Sequence, residues 1–148
     1  MTEVFFYHLK ERPLEAALPQ LLEKCIERGW RCIVQASSPE RVDALDQHLW
    51  TYAEASFLPH GTDRQPEPQR QPVLLTEGAG NPNGAQVRFL VEDATLDDAS
   101  PYVRVIHMFD DSDPARIERA RHGWRAARAA GHEVAYWQQD SQGRWTRK

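Results

Sequence analysis

Residues 4–50, VFFYHLKERPLEAALPQLLEKCIERGWRCIVQASSPERVDALDQHLW, alternate strand-like and helix-like patterns, and this alternation decides the fold class. Val4 to Leu9 (VFFYHL) has the β-branched and aromatic density of a buried strand. Pro13 then precedes a helical stretch from Leu14 to Arg28. Its apolar positions Leu14, Leu18, Leu21, Leu22, Cys25 and Ile26 recur at three- and four-residue spacing, and Gly29 ends it. Arg31 to Ala36 (RCIVQA) is a second short apolar strand, and Ser38-Pro39 supplies a cap and an early-helix proline for a helix from Glu40 to Trp50. A β-α-β-α order of this kind points to a parallel sheet flanked by helices.

Beyond Trp50 the pattern loosens. Gly61 to Gln71 is rich in Pro, Gln and charge and reads as a mobile loop. Strand-like runs follow at Pro72–Thr76, Val87–Val91 and Val103–Phe109. A long helix over about Pro114–Ala130 stops at Gly131, and short extended pieces at Glu133–Gln138 and Arg144–Thr146 flank a Ser-Gln-Gly turn. With no repeat or linker, residues 1–148 are expected to form one α/β domain, a three-layer, Rossmann-like fold with a mostly parallel central sheet.

A hydrophobic fraction of 41% with 27% charged residues suits a chain that folds around its own core. No apolar run approaches the roughly 20 residues of a membrane span, and the N-terminus lacks the order of a secretory signal, so a cytoplasmic location without membrane contact is expected. Net charge is −4, which argues against holding duplex DNA by many phosphate contacts. The charge is uneven, however: Asp113 to Gly131 carries five arginines against Asp113 and Glu118, a local +3 on an otherwise acidic chain. A local basic face suits a small acidic ligand better than a long polyanion.

Motifs for chemistry are missing. The first strand runs into LKERP, which has no glycine to admit a phosphate, and Gly78-Ala79-Gly80 is followed by Pro82 and a strand rather than by a helix. The six histidines show no metal-ligand spacing, and no serine sits in a nucleophile elbow. No catalytic residue, cofactor or metal ligand is therefore assigned. A small α/β enzyme or nucleotide-binding protein with an unrecognised site is the alternative.

Two constellations suit recognition instead. Trp50, with Phe57, Leu58, Pro59 and His60, gathers large apolar groups between a helix end and a polar loop. Such residues can close a core or anchor an interface. On the last helix, Ile117, Ala120, Trp124 and Ala127 form an apolar stripe. Arg128, Arg121 and Arg125 project roughly 40, 60 and 100 degrees to one side of Trp124, at about 100 degrees per residue. Three guanidinium groups beside one indole could hold a carboxylate. The projection makes Arg121 and Arg128 the grip and Arg125 the rim.

The blocks VFFYHL, LDQHLWTYAEASFLPHG (residues 45–61), PVLL (72–75) and ARHGWRAARAAGHEVAYWQQDSQGRWTRK (120–148) occur in order over nearly the whole chain. Together they resemble the chi subunit of bacterial DNA polymerase III. The resemblance implies a non-catalytic adaptor of the replicase that reaches DNA only indirectly. It binds the psi subunit of the clamp loader and the acidic C-terminal tail of single-stranded-DNA-binding protein, and associates with a helicase-like repair protein. By motif, Trp50, Phe57, Leu58, Pro59 and His60 would contact psi, and Arg121, Trp124, Arg125 and Arg128 would hold the tail. Ile117 stands where relatives carry a basic residue, for which Arg116 is a possible substitute, and Trp124 stands where a tyrosine is expected.

Overall fold

The computed structural model describes residues 2–10, 12–52 and 58–148. Its elements run β1 (Glu3–Leu9), α1 (Leu14–Glu27), β2 (Cys32–Gln35), α2 (Pro39–Thr51), β3 (Gly61–Thr62), β4 (Val73–Thr76), β5 (Val87–Val91), β6 (Arg104–Asp110), α3 (Pro114–Ala129), β7 (Glu133–Gln139) and β8 (Trp145–Arg147). They build one sheet in the order β3-β4-β2-β5-β6-β1-β7-β8. Each neighbouring pair is parallel except the β7–β8 hairpin. This is the mostly parallel, three-layer arrangement that the alternation in residues 4–50 implies.

Alternation along β1 assigns the two faces. Phe5, Tyr7 and Leu9 join the core on the side of α1 and α2, whereas Val4 and Phe6 meet Ala120 and Trp124 of α3 on the other. The chain leaves β1 through α1 towards β2, but leaves β6 through α3 across β1 to β7. A crevice therefore opens at the carboxyl ends of β1 and β6, where connections depart in opposite directions.

The sequence accounts for the helix ends. The Ser38 hydroxyl accepts the Arg41 backbone N–H at 3.2 Å, with Pro39 in the first turn, and the Asp113 carboxylate accepts that of Ala115 at 3.0 Å. Pro19 lies inside α1 and brings no N–H to the carbonyl one turn before it. His48 of α2 donates from Nε2 to that Glu15 carbonyl at 2.5 Å, so the proline's defect becomes a tie between two helices.

One expectation is corrected. The polar stretch 61–71, read as a loop, begins with a buried two-residue strand that pairs with Leu74 and Leu75 of β4. At Gly61 a Cβ would come within 2.8 Å of the Gln71 side chain, so a larger residue there would displace that glutamine. A two-residue Gly-Thr strand has no alternation to betray it, and its neighbours are polar because the Thr62 N–H is satisfied by Gln65 Oε1 at 3.1 Å.

Candidate functional site

The helical periodicity that buries Ala120 on Phe6 leaves Trp124 half-buried beside Ala127, Val134 and Tyr136. Between α3 and β7 lies a cleft of about 240 Å³ lined by Arg121, Trp124, Arg125 and Tyr136. The β6-α3-β7 crossover lays β7 beside β1, and alternation in β7 points Tyr136 to the same face as Val134. Tyr136 was not singled out in the sequence, although the period-two pattern of Glu133–Gln139 places it opposite Phe6, against α3.

The arginines divide differently from their helical projection. Arg121 and Arg125 border the cleft, while Arg128 lies over the Trp124 ring with Cζ 5.1 Å from its centroid. Arg121 pairs with Glu118 at 3.1 Å, an exposed contact between residues three apart that a stronger anion can displace. Arg125 and Arg128 have no carboxylate partner among the described residues. Arg116 does not stand in for the basic residue replaced by Ile117. It is held on the opposite flank of α3 by Asp93 at 3.2 Å and Asp110 at 3.0 Å, and Arg119 shares Asp93.

Tyr136 closes the cleft as a neutral phenol, since burial holds its pKa above the ordinary value against the opposing pull of the Arg121 guanidinium. Its hydroxyl lies 3.1 Å from His8 Nδ1, and His8 Nε2 faces the Asp111 carboxylate at 3.5 Å. Burial lowers the His8 pKa, with Asp111 opposing, so the ring is neutral near pH 7. The hydrogen bond between the Tyr136 hydroxyl and His8 Nδ1 holds the phenol in place at the end of the cleft. The cleft thus combines two guanidinium forks, an indole wall and a fixed phenol. It has the means to bind an anion attached to an apolar group.

The aromatic patch at the end of α2 is layered. Trp50 is 51% exposed, whereas Leu58 is buried in the main core and His60 beneath it is buried as well. The His60 ring sits 4.5 Å from the Trp50 ring, with Nδ1 2.7 Å from the Leu58 carbonyl oxygen and Nε2 3.1 Å from Asp46 Oδ1. Pro59 is half-buried, and Phe57 lies outside the described residues. Among the described residues of this patch, Trp50 and Pro59 are the ones that reach the surface, over the buried Leu58 and His60.

Residues 1–135 match the family described as DNA polymerase III chi subunit, HolC. The chain belongs to this family. It is similar to the probable DNA polymerase III subunit chi of Rickettsia prowazekii (strain Madrid E), being 30% identical over 91 residues that cover 62% of this chain and 55% of that protein. The chain thus spans about half the length of the curated relative it matches. The region matched to the chi family contains the whole of α3 and stops one residue before Tyr136.

Within this chi-family fold, the loops that could cradle a nucleotide are turned to other uses. Gly78 and Gly80 aim their carbonyls at the buried Arg88 guanidinium, and the Gly78 N–H is taken by the Thr76 hydroxyl. The crevice at the ends of β1 and β6, about 410 Å³, is bordered by Glu15, Glu92, Asp110 and Asp111 as well as Lys10 and Arg12. Among the described residues no helix is long and apolar enough to cross a membrane, and no group of three His, Cys, Asp or Glu is placed to hold a metal ion.

Proposed function

We propose that this chi-family protein is a non-catalytic adaptor of the replicase. It joins the clamp loader, through the psi subunit, to the acidic C-terminal tail of single-stranded-DNA-binding protein. The observation that carries the reading is the cleft of Arg121, Trp124, Arg125 and Tyr136. A peptide ending in an apolar residue with a free α-carboxylate matches it on three counts. The carboxylate meets the guanidinium forks, the apolar side chain lies against the indole, and upstream acidic residues meet Arg128 and the helix's net positive charge.

The half-exposed Trp50 supports the second contact, because an aromatic anchor above a fixed floor is what protein interfaces concentrate. A helicase-like repair protein would engage this same patch, in competition with psi. The adaptor works in the cytoplasm.

Calorimetric titration with a tail peptide and with its C-terminally amidated form tests the reading. The free acid should bind and the amide should lose most of that affinity. Equal binding of the two, or none by either, would remove the tail from the proposal.

A further inference from the structure

On the face of the sheet opposite α3, a second recessed site has no part in the adaptor reading. Phe5 and Tyr7 of β1, Trp137 of β7 and Trp145 of β8 all point to the side of α1, where Trp30 joins them from the turn before β2. Each of the five rings is partly exposed. They form a strip: Phe5 and Tyr7 lie stacked at 6.5 Å, Tyr7 is 6.3 Å from Trp137, and Trp145 packs edge-on to Tyr7 at 4.7 Å. The helix that packs on β7 is α3, on the other face.

A cleft of about 250 Å³ opens between this strip and α1, with Lys24, Arg28 and Arg104 at its edge. Arg104 stacks on Phe5 at 4.5 Å and is neutralised by Glu3 at 2.8 Å. Arg28 lies over Trp30 at 5.1 Å. Lys24, one helical turn before Arg28, and Arg147, which is cross-strand from Trp137, complete a set of exposed cations. Lys24, Arg28 and Arg147 have no carboxylate partner among the described residues. The Trp137 indole N–H, which is shielded from solvent, has no hydrogen-bond acceptor.

We propose that this aromatic strip binds a short segment of single-stranded nucleic acid. Bases would lie against the sheet-face aromatics, one of them in the cleft, and phosphates would lie on Lys24, Arg28 and Arg147. Sheet-borne aromatics offer π-faces that any base can use, and flanking cations track the backbone. An acidic peptide would satisfy the cations and leave the strip of rings unused, so the observations favour the nucleic acid. The footprint is small: three phosphate contacts predict a slope of about −2 in log affinity against log salt, which a chain of net charge −4 can sustain.

The test is titration of the full chain at low salt, read by tryptophan quenching and by anisotropy, with a labelled 12-mer of deoxythymidine, an abasic 12-mer of equal charge, thymidine monophosphate and an acidic peptide. The 12-mer should quench and bind at least roughly 10-fold more tightly than the abasic strand, because only the former has bases to stack on the rings. The mononucleotide should be weaker than the 12-mer. Lys24→Ala, Arg28→Ala and Trp145→Ala, each checked for folding by circular dichroism, should weaken the 12-mer several-fold, while Arg121→Ala, in the other cleft, should not. Equal binding of the abasic strand, tighter binding of the acidic peptide, no binding of the 12-mer, or loss on Arg121→Ala alone overturns the proposal. None of these outcomes bears on amidation of the tail peptide, so the two readings fail separately.

Discussion

Arg128 rests on the indole of Trp124, its guanidinium carbon 5.1 Å from the ring centroid, and is thereby placed outside the cleft that Arg121 and Arg125 border. The carboxylate grip of the proposed tail site therefore falls to Arg121 and Arg125. Arg128 fixes the indole wall and supplies a flanking charge. Arg121→Ala and Arg125→Ala should each weaken the tail peptide by about 1.5–3 kcal/mol, the range for hydrogen bonds to charged groups. Arg128→Ala should cost about 1 kcal/mol or less, the worth of an exposed cation–π contact and a rim charge. Calorimetry on the three variants checks the ranking. If Arg128→Ala costs the most, the cleft is not the carboxylate site.

At the other patch, burial separates binding from folding. Trp50 is exposed, so Trp50→Ala should leave unfolding free energy within about 1 kcal/mol and weaken the proposed psi contact by about 2 kcal/mol or more. Leu58 is 2% exposed, and Leu58→Ala should instead destabilise the fold by about 2–5 kcal/mol. Urea denaturation alongside a binding titration distinguishes the two. A Trp50→Ala protein that unfolds as readily as Leu58→Ala would make Trp50 a core residue in function.

The parts of this structure legible in the sequence are those governed by period and by caps. β1, α1, β2 and α2 follow from apolar spacing, and Ser38 marks a helix start because its side chain replaces a missing backbone acceptor. What escaped depends on partners distant in sequence. Tyr136 reaches the cleft only because β7 is laid beside β1. β3 is invisible because two residues cannot show a period. In β5, Arg88 interrupts an apolar run, and its acceptors come from Gln35 of β2, the 78–80 loop and Tyr102, which only the fold brings together.

Arg88 is fully buried and is satisfied by neutral groups: Gln35 Oε1 at 2.9 and 2.7 Å, the Gly78 and Gly80 carbonyls, and the Tyr102 hydroxyl at 2.9 Å. It pins the 78–80 loop to the sheet. Arg88→Leu would remove the cation but leave several buried acceptors unpaired, so it should destabilise the protein by about 3 kcal/mol or more. Chemical denaturation measures this, and a loss below about 1 kcal/mol would mean that water or a rearranged loop satisfies those acceptors.

His107 gives the fold an acid limit. Its ring lies flat against Phe6, centroids 4.6 Å apart and planes at 10°, beside an apolar groove under α3. Burial there pushes its pKa down from 6.5 to about 4. Because the folded value lies below the unfolded one, between them the unfolded chain holds a proton that the folded chain does not. Stability from the neutral ring is therefore complete above about pH 6.5 and falls as pH drops. Below about pH 4 both states are protonated and the loss levels off. The difference corresponds to about 3 kcal/mol, a large share of the stability of a domain this size. His107→Phe keeps the stack on Phe6 and removes the titration. Urea midpoints at intervals from pH 4 to 7 should slope steeply for the natural chain and less for the variant. Parallel profiles would show that the proton loads elsewhere.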